Sequence, residues 1–428
     1  MKLQSTSNLL KDVYIPPMAL VRQKLPRPII SDIPTAVCKE LKRSDLSSIL
    51  HKGMSVAISC GSRGITNIPT IIREIVNFCK SYGADPFIVP AMGSHGGATS
   101  EGQTDVLTSL GVTEEFCGCP IRSSMDTVCL GTTPEGYPIH LDKNASRADG
   151  IIVVGRIKAH TAFRGEYESG LMKMMAVGLG KRNGAEVCHS TGFRLMHTIM
   201  PSVAEGILKS GKILLGFAII ENAYDETCIL KAISPQRIPL EEPGLLVQAK
   251  KLMGRLYLPE TDLLIIDKIG KNISGDGSDP NIAGNFCCQY ASGGLKAEKR
   301  VVLDLTDETH GNAMGVGLYD ATTQHLFNKI DFDITYINPL VSSAINMAKI
   351  PMIMENDHDA IAACLKSSPE IDHDNPRIIR IKDSAHIDEI YVSIAHREEV
   401  LAEPCMEILT PFEPMNFTKE GNLWERKI

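Results

Sequence analysis

The chain has 428 residues, 43% of them hydrophobic and 22% charged, the balance of a globular protein of two or three domains, which excludes bulk disorder and fibrous repetition. Its 44 basic and 51 acidic side chains leave a net charge of −7, and aromatics are 5% with a single Trp, Trp424. A nucleic-acid partner and a basic membrane-binding face are therefore not expected. The amino-terminal stretch has no apolar run of signal-peptide length, and the most apolar segment, Ile213 to Ile220, falls far short of the roughly 20 residues that span a bilayer. A cytoplasmic location is expected. The 12 cysteines are scattered without the spacing of a disulfide scaffold, and Cys117 and Cys119 form no zinc-ribbon pair, so buried reduced thiols are the reading.

In chain order, Met54 to Cys60 reads as a buried strand, GSRGITN as a turn, and IPTIIREIVNFCKSYG as a helix with apolar residues at helical spacing. PFIVPAM is a second strand, followed by the polar turn GSHGGATSEGQ and a short helix over TDVLTSLGV. The most strand-like segment, Gly150 to His160, ends in a basic, imidazole-bearing turn. Texture changes at residues 240–260, and the pattern restarts with LLIIDKIGK, RVVLDLTDET, a helix near Ser342 to Lys349, PMIM and IIRIKD. The alternation predicts an α/β protein of two α/β domains with a cleft between them and mainly parallel sheets. The expected boundaries are 1–258, 259–400, and a C-terminal segment 401–428 packing back on the first domain.

Reactive side chains gather in the glycine-rich turns of the first domain. They are Arg63 (CGSRG), His95 (GSHGG), Lys158 and His160 (IKAH), Glu168, Lys173, Lys181 and His189 (CHSTG). Glycine lets a backbone approach a ligand closely, and ligands of parallel sheets gather at the carboxyl ends of strands. Basic and imidazole groups in several such turns describe a site for an anionic ligand, with histidines able to move protons near neutral pH. No HExxH, paired CxxC or DxDG motif is present, so a metal cage made by protein alone lacks support. His189 and His197, eight apart, could share a helical face; a core or solvated role is the simpler reading for that pair.

At these residues the chain resembles the nickel-dependent lactate racemase superfamily (LarA-like proteins). The resemblance rests on Cys60-Gly61-Ser62-Arg63, on Gly93-Ser94-His95 with Glu101 beyond, on His160 followed by Ser169-Gly170-Leu171-Met172-Lys173, and on His189, 189 − 173 = 16 positions after that lysine. It implies a nickel-pincer nucleotide carried by Lys173, with Ser169 and Gly170 beside it and His189 as the protein's nickel ligand. It also implies His95 and His160 as general acid and base, and Arg63 on the substrate carboxylate. Lys271 (IGKNISGDG) is the candidate for a second substrate-binding group, with Lys296 the other lysine in a comparable context.

The implied activity is racemisation or epimerisation of a small 2-hydroxy acid by reversible hydride transfer, with cofactor-biosynthesis proteins as partners. An oxidoreductase or lyase on the same scaffold, or a non-catalytic organic-anion or nucleotide-binding protein, is the alternative. The chain departs from the family pattern at four places. Cys60 stands where an acidic residue is usual, Gly96 where lactate racemases carry Arg, and Leu171 where a second glycine is usual; the His160-to-Lys173 segment is three residues longer.

Overall fold

The computed structural model describes residues 4–62 and 64–424, so Arg63 lies outside the described residues. Two compact units form: Pro26–Met253, and Gly254–Ile428 together with Met1–Leu25. The single cut expected near residue 258 is thus replaced by two, at 25/26 and 253/254. Strand β1 (Met18–Gln23) is the physical reason, because it hydrogen-bonds antiparallel to both Glu389–Ser393 and Met406–Ile408 in the C-terminal half.

In the unit Pro26–Met253 the strands are β2 (Ser55–Cys60), β3 (Asp85–Pro90), β4 (Thr127–Thr132), β5 (Pro138–Asp142), β6 (Gly150–Arg156), β7 (Ile213–Glu221) and β8 (Thr227–Ile233). Five of them form a sheet in the order β3-β2-β6-β7-β8, parallel except for β8, while β4 and β5 make a separate hairpin. Alternate residues of β6 enter two cores: Ile151 and Val153 pack with the helices at 171–179, 196–209 and 238–252, whereas Ile152 and Val154 pack with the helices at 33–43 and 68–81. Burial on both faces explains the unbroken apolar runs read as strands.

The helix Ile68–Ser81 follows its expected place, with Pro69 in the first turn and Lys80 in the last. The next helix, expected over residues 104–112, begins at Ser100 because the Thr99 side chain accepts a hydrogen bond from the Gly102 N–H at 3.0 Å.

The second unit carries β1 with β9 (Glu260–Ile269), β10 (Lys296–Leu305), β11 (Ala321–Thr323), β12 (Met352–Met354), β13 (Ile378–Ile381), β14 (Glu389–Ser393) and β15 (Met406–Ile408). They form one sheet in the order β12-β11-β10-β9-β13-β14-β1-β15, parallel through β13 and antiparallel beyond. The segment from residue 401 therefore pairs with β1 and extends the sheet of its own unit. The helix expected at Ser342 to Lys349 is a single 3-10 turn, Ile345–Ala348, preceded by a longer helix, Phe332–Ser342, that Ser343 in the left-handed region (φ 58°) stops. Among the described residues no helix is long and apolar enough to cross a membrane. None of the 12 cysteines forms a disulfide, and Cys117 and Cys119 are buried as expected.

Candidate active site

In the five-stranded sheet the chain passes from β2 outward to β3, then returns to place β6 on the other side of β2. That reversal makes the carboxyl ends of β2 and β6 a topological switch point, the usual ligand position in such sheets. Ser62 follows β2, His95 follows β3, and His160 follows β6.

The His95 turn is closed by close backbone approaches. Gly93 (φ 59°) donates its N–H to the Gly178 carbonyl at 3.3 Å. Gly96 (φ 65°) lies against the Gly102 backbone, where an added Cβ would come within 2.6 Å of the Gly102 carbonyl carbon. An Arg cannot replace Gly96 in this turn, so the departure from the family pattern is built into the backbone. The exposed His95 ring places Nδ1 3.0 Å from the Ser62 hydroxyl, which can donate or accept. Cys60, where the family carries an acid, is buried, and burial pushes its thiol up to about 12. It is an inert core residue at neutral pH.

Beyond Arg156 the chain leaves the parallel ladder, and the strand is shorter than its apolar run. Lys158 and Ser169 exchange backbone hydrogen bonds at 3.0 and 3.1 Å, which closes a loop around the buried Glu168. That carboxylate accepts from the His160 N–H at 2.7 Å and from the Lys250 ammonium at 2.6 Å, with the Arg164 guanidinium at 3.4 Å. Arg164 also donates to the His160 carbonyl at 2.6 Å. Within the loop the Ala162 N–H donates to His160 Nδ1 at 3.0 Å, so the proton of the neutral ring sits on Nε2.

Gly170 opens the short helix Leu171–Lys173, which runs directly into a π-helix at Met174–Leu179. Irregular helices of this kind are frequent at functional sites. The buried Glu242 accepts from the Met172 N–H at 3.1 Å and stabilises the helix start, while its Oε1 has no hydrogen-bond partner among the described residues. Burial raises this carboxyl to about 7, against the lowering effect of the Leu171 and Met172 N–H groups. An added Cβ at Gly170 would run into the same carboxylate.

His189 is the last residue of the helix Lys181–His189, a more regular setting than the turn expected from CHSTG. Its Nδ1 is buried without a hydrogen-bond partner among the described residues. Burial, and then the neighbouring Lys173 charge, push its pKa down to about 4, so the ring is neutral at physiological pH. Phe193 brings the site together: its ring centroid lies 5.7 Å from that of His189, edge to face, and 6.3 Å from that of His160.

The structure thus unites His160, His189 and Lys173, with Ser169 and Gly170 at the start of the lysine's helix. The His95 turn docks on the π-helix that follows Lys173. Lys271 belongs to the other unit, where its ammonium donates to the Gly275 carbonyl at 2.6 Å. His197 lies in a different helix from His189, Met196–Lys209, and lines a separate cavity of about 810 Å³ with Glu135, Tyr167 and Ser202. No cluster of three or more His, Cys, Asp or Glu placed to hold a metal occurs among the described residues. Phe193 and Glu242 were missed in the sequence. Phe193 reads there as an ordinary core residue and Glu242 as a solvated helix residue, and only the folded chain buries the glutamate and places Phe193 between two motif histidines.

Residues 20–197 match the family described as the lactate racemase N-terminal domain. Among solved structures, the lactate racemase apoprotein of Thermoanaerobacterium thermosaccharolyticum is similar over 85% of this chain and 94% of that one, with a TM-score of 0.51 and 13% sequence identity. That likeness establishes the shared fold. No curated protein sequence matches the chain significantly.

Proposed function

Since the chain is a divergent member of the lactate racemase-like (LarA-like) family, we propose that it racemises or epimerises a small 2-hydroxy acid with a nickel-pincer nucleotide. The observation that carries this reading is the packing of His160 and His189 against one Phe193 ring, with the Lys173 charge felt at His189.

The residues present fit the cofactor. A neutral imidazole is a suitable nickel ligand, and His189 has a buried nitrogen whose hydrogen-bonding capacity is unmet. Lys173 lies close enough to depress its pKa. In this reading Lys173 carries the group and His189 holds its metal. When bound, the group supplies reversible hydride transfer, which makes the substrate Cα planar and allows return to either face.

The chain's own residues bind substrate and move the hydroxyl proton. Arg63 is the proposed carboxylate clamp, since a guanidinium offers two parallel donors. His95, with a hydroxyl at Nδ1 that suits either tautomer, can act through Nε2 as the base that removes the hydroxyl proton. His160 is held by the Ala162 N–H with its proton on Nε2, so its neutral ring enters as a donor to the substrate oxygen. The two imidazoles therefore start from different tautomers, His95 as the proton acceptor and His160 as a hydrogen-bond donor.

The test is expression with the proteins that make the cofactor, followed by intact mass, nickel content and chiral analysis of a 2-hydroxy acid panel. An adduct on Lys173, about one nickel per chain and interconversion of enantiomers are expected. Protein from such cells with neither adduct nor nickel would overturn the assignment. Net oxidation without racemisation would move it to an oxidoreductase on the same scaffold.

A further inference from the structure

Lys181 is the first residue of the helix that ends at His189, and it is not a surface lysine. Its side chain is completely buried, and its backbone sits in the left-handed region (φ 54°), an unusual conformation for a residue with a Cβ. Such outliers persist where the surroundings hold them and are frequent at functional sites.

The ammonium donates to the Pro90 carbonyl at the end of β3 and to Gln103 Oε1 at 3.0 Å, and it lies 3.1 Å from Asp142 Oδ2. Gln103, itself buried, turns its amide nitrogen the other way. That nitrogen donates to the Gly93 carbonyl at 2.9 Å and to the His95 carbonyl at 3.2 Å. The pair beneath is costly. Burial raises the Asp142 carboxyl and lowers the Lys181 ammonium, in each case against the pull of the partner. A buried ion pair of this kind is weak evidence for stability, since apolar residues of similar size commonly replace one at little or no loss.

We propose that Lys181 and Gln103 are positioning residues for His95. The buried ammonium fixes the Gln103 amide, and the amide fixes the two carbonyls that frame the His95 turn. One polar network thereby ties the first turn of the His189 helix to the loop that carries the proton-transferring imidazole. The proposal rests on the functional reading above for the role of His95, but the placement itself is testable without turnover.

The first variant is Gln103→Met, which keeps length and removes both donors to the turn while leaving Lys181 with Asp142 and Pro90. The second is Lys181→Met/Asp142→Leu, which removes both charges together and leaves neither one orphaned. Ring signals of 13C-labelled histidine are recorded on the full chain, His95 being identified by its loss in His95→Ala. The expected result is that the His95 signal moves or broadens in both variants while that of the remote His51 stays fixed. In cofactor-loaded enzyme, kcat should fall about 10- to 100-fold with the Lys173 adduct unchanged, the loss typical of a misplaced catalytic group. If Gln103→Met does not fold, the paired variant carries the test.

A His95 signal superimposable on wild type in the folded variants, whatever the melting temperature, would overturn the proposal and leave the network a purely structural one. The two ideas fail separately. A moved His95 signal in a chain that racemises nothing keeps the positioning role and removes the assigned reaction. An unmoved signal in an active racemase does the reverse.

Discussion

At the scale of single residues, the two motif histidines differ in what holds them. His95 is exposed and faces a hydroxyl, whereas His160 is bonded through its backbone to Glu168 and through its ring to a backbone N–H. Replacing either with Ala should lower turnover by about 10²–10⁴-fold with cofactor loading intact. Near-normal rates in both variants, measured on loaded protein, would remove them from the mechanism.

Glu242 offers a test that needs no substrate. Its carboxyl is raised from 4.5 to about 7, so the native state holds the proton more tightly than the unfolded chain does. That contribution is present below about pH 4.5 and is lost as pH rises through 7, a difference of about 3 kcal/mol. Glu242→Gln cannot ionise and should gain stability relative to wild type between pH 5 and pH 8. Urea melts showing a pH-independent difference would contradict this.

At the scale of elements, the strand–turn–helix units were legible because strands buried on both faces leave unbroken apolar runs, and helices such as Ile68–Ser81 repeat apolar residues at helical spacing. The motif histidines stood out by type and spacing, and the fold brings His160 and His189 to one Phe193 ring. What lay outside the sequence was set by contacts distant in the chain. Nothing near Phe193 announces that its ring meets His160, and nothing near Gln103 announces the buried lysine 78 positions away.

The GSHGG turn shows the same limit. Gly96 read as a departure from the family, yet its positive φ and the approach of Gly102 leave no room for a side chain. Gly96→Arg, which would restore the usual residue, should destabilise the protein by at least about 2 kcal/mol, as a side chain forced into a left-handed, crowded site does. A thermal melt equal to wild type would show that the turn can reopen. Gly170→Ala should likewise displace the Lys173 helix start from Glu242, which would be seen as a lower melting temperature together with reduced adduct formation.

At the scale of the whole molecule, the two units differ in how their sheets are completed. Pro26–Met253 is continuous and carries its own cores on both sheet faces, so it should fold when expressed alone. Gly254–Ile428 without residues 1–25 would lack β1, leaving one long side of β14 and the whole of β15 without their antiparallel partner. Exposed strand edges of this kind promote association. The fragment should therefore aggregate, and a peptide covering residues 4–25 should return it to solution; a monodisperse 254–428 fragment in light scattering would refute this. The same strand sets a schedule for synthesis. β1 leaves the ribosome early, but the first of its partners to be made, Glu389, is 389 − 22 = 367 residues downstream of Arg22, roughly 20–75 s later at ordinary elongation rates. Throughout that interval the intervening unit can mature on the nascent chain while six residues of β1 wait unpaired, and that wait is the window in which a chaperone would find its client.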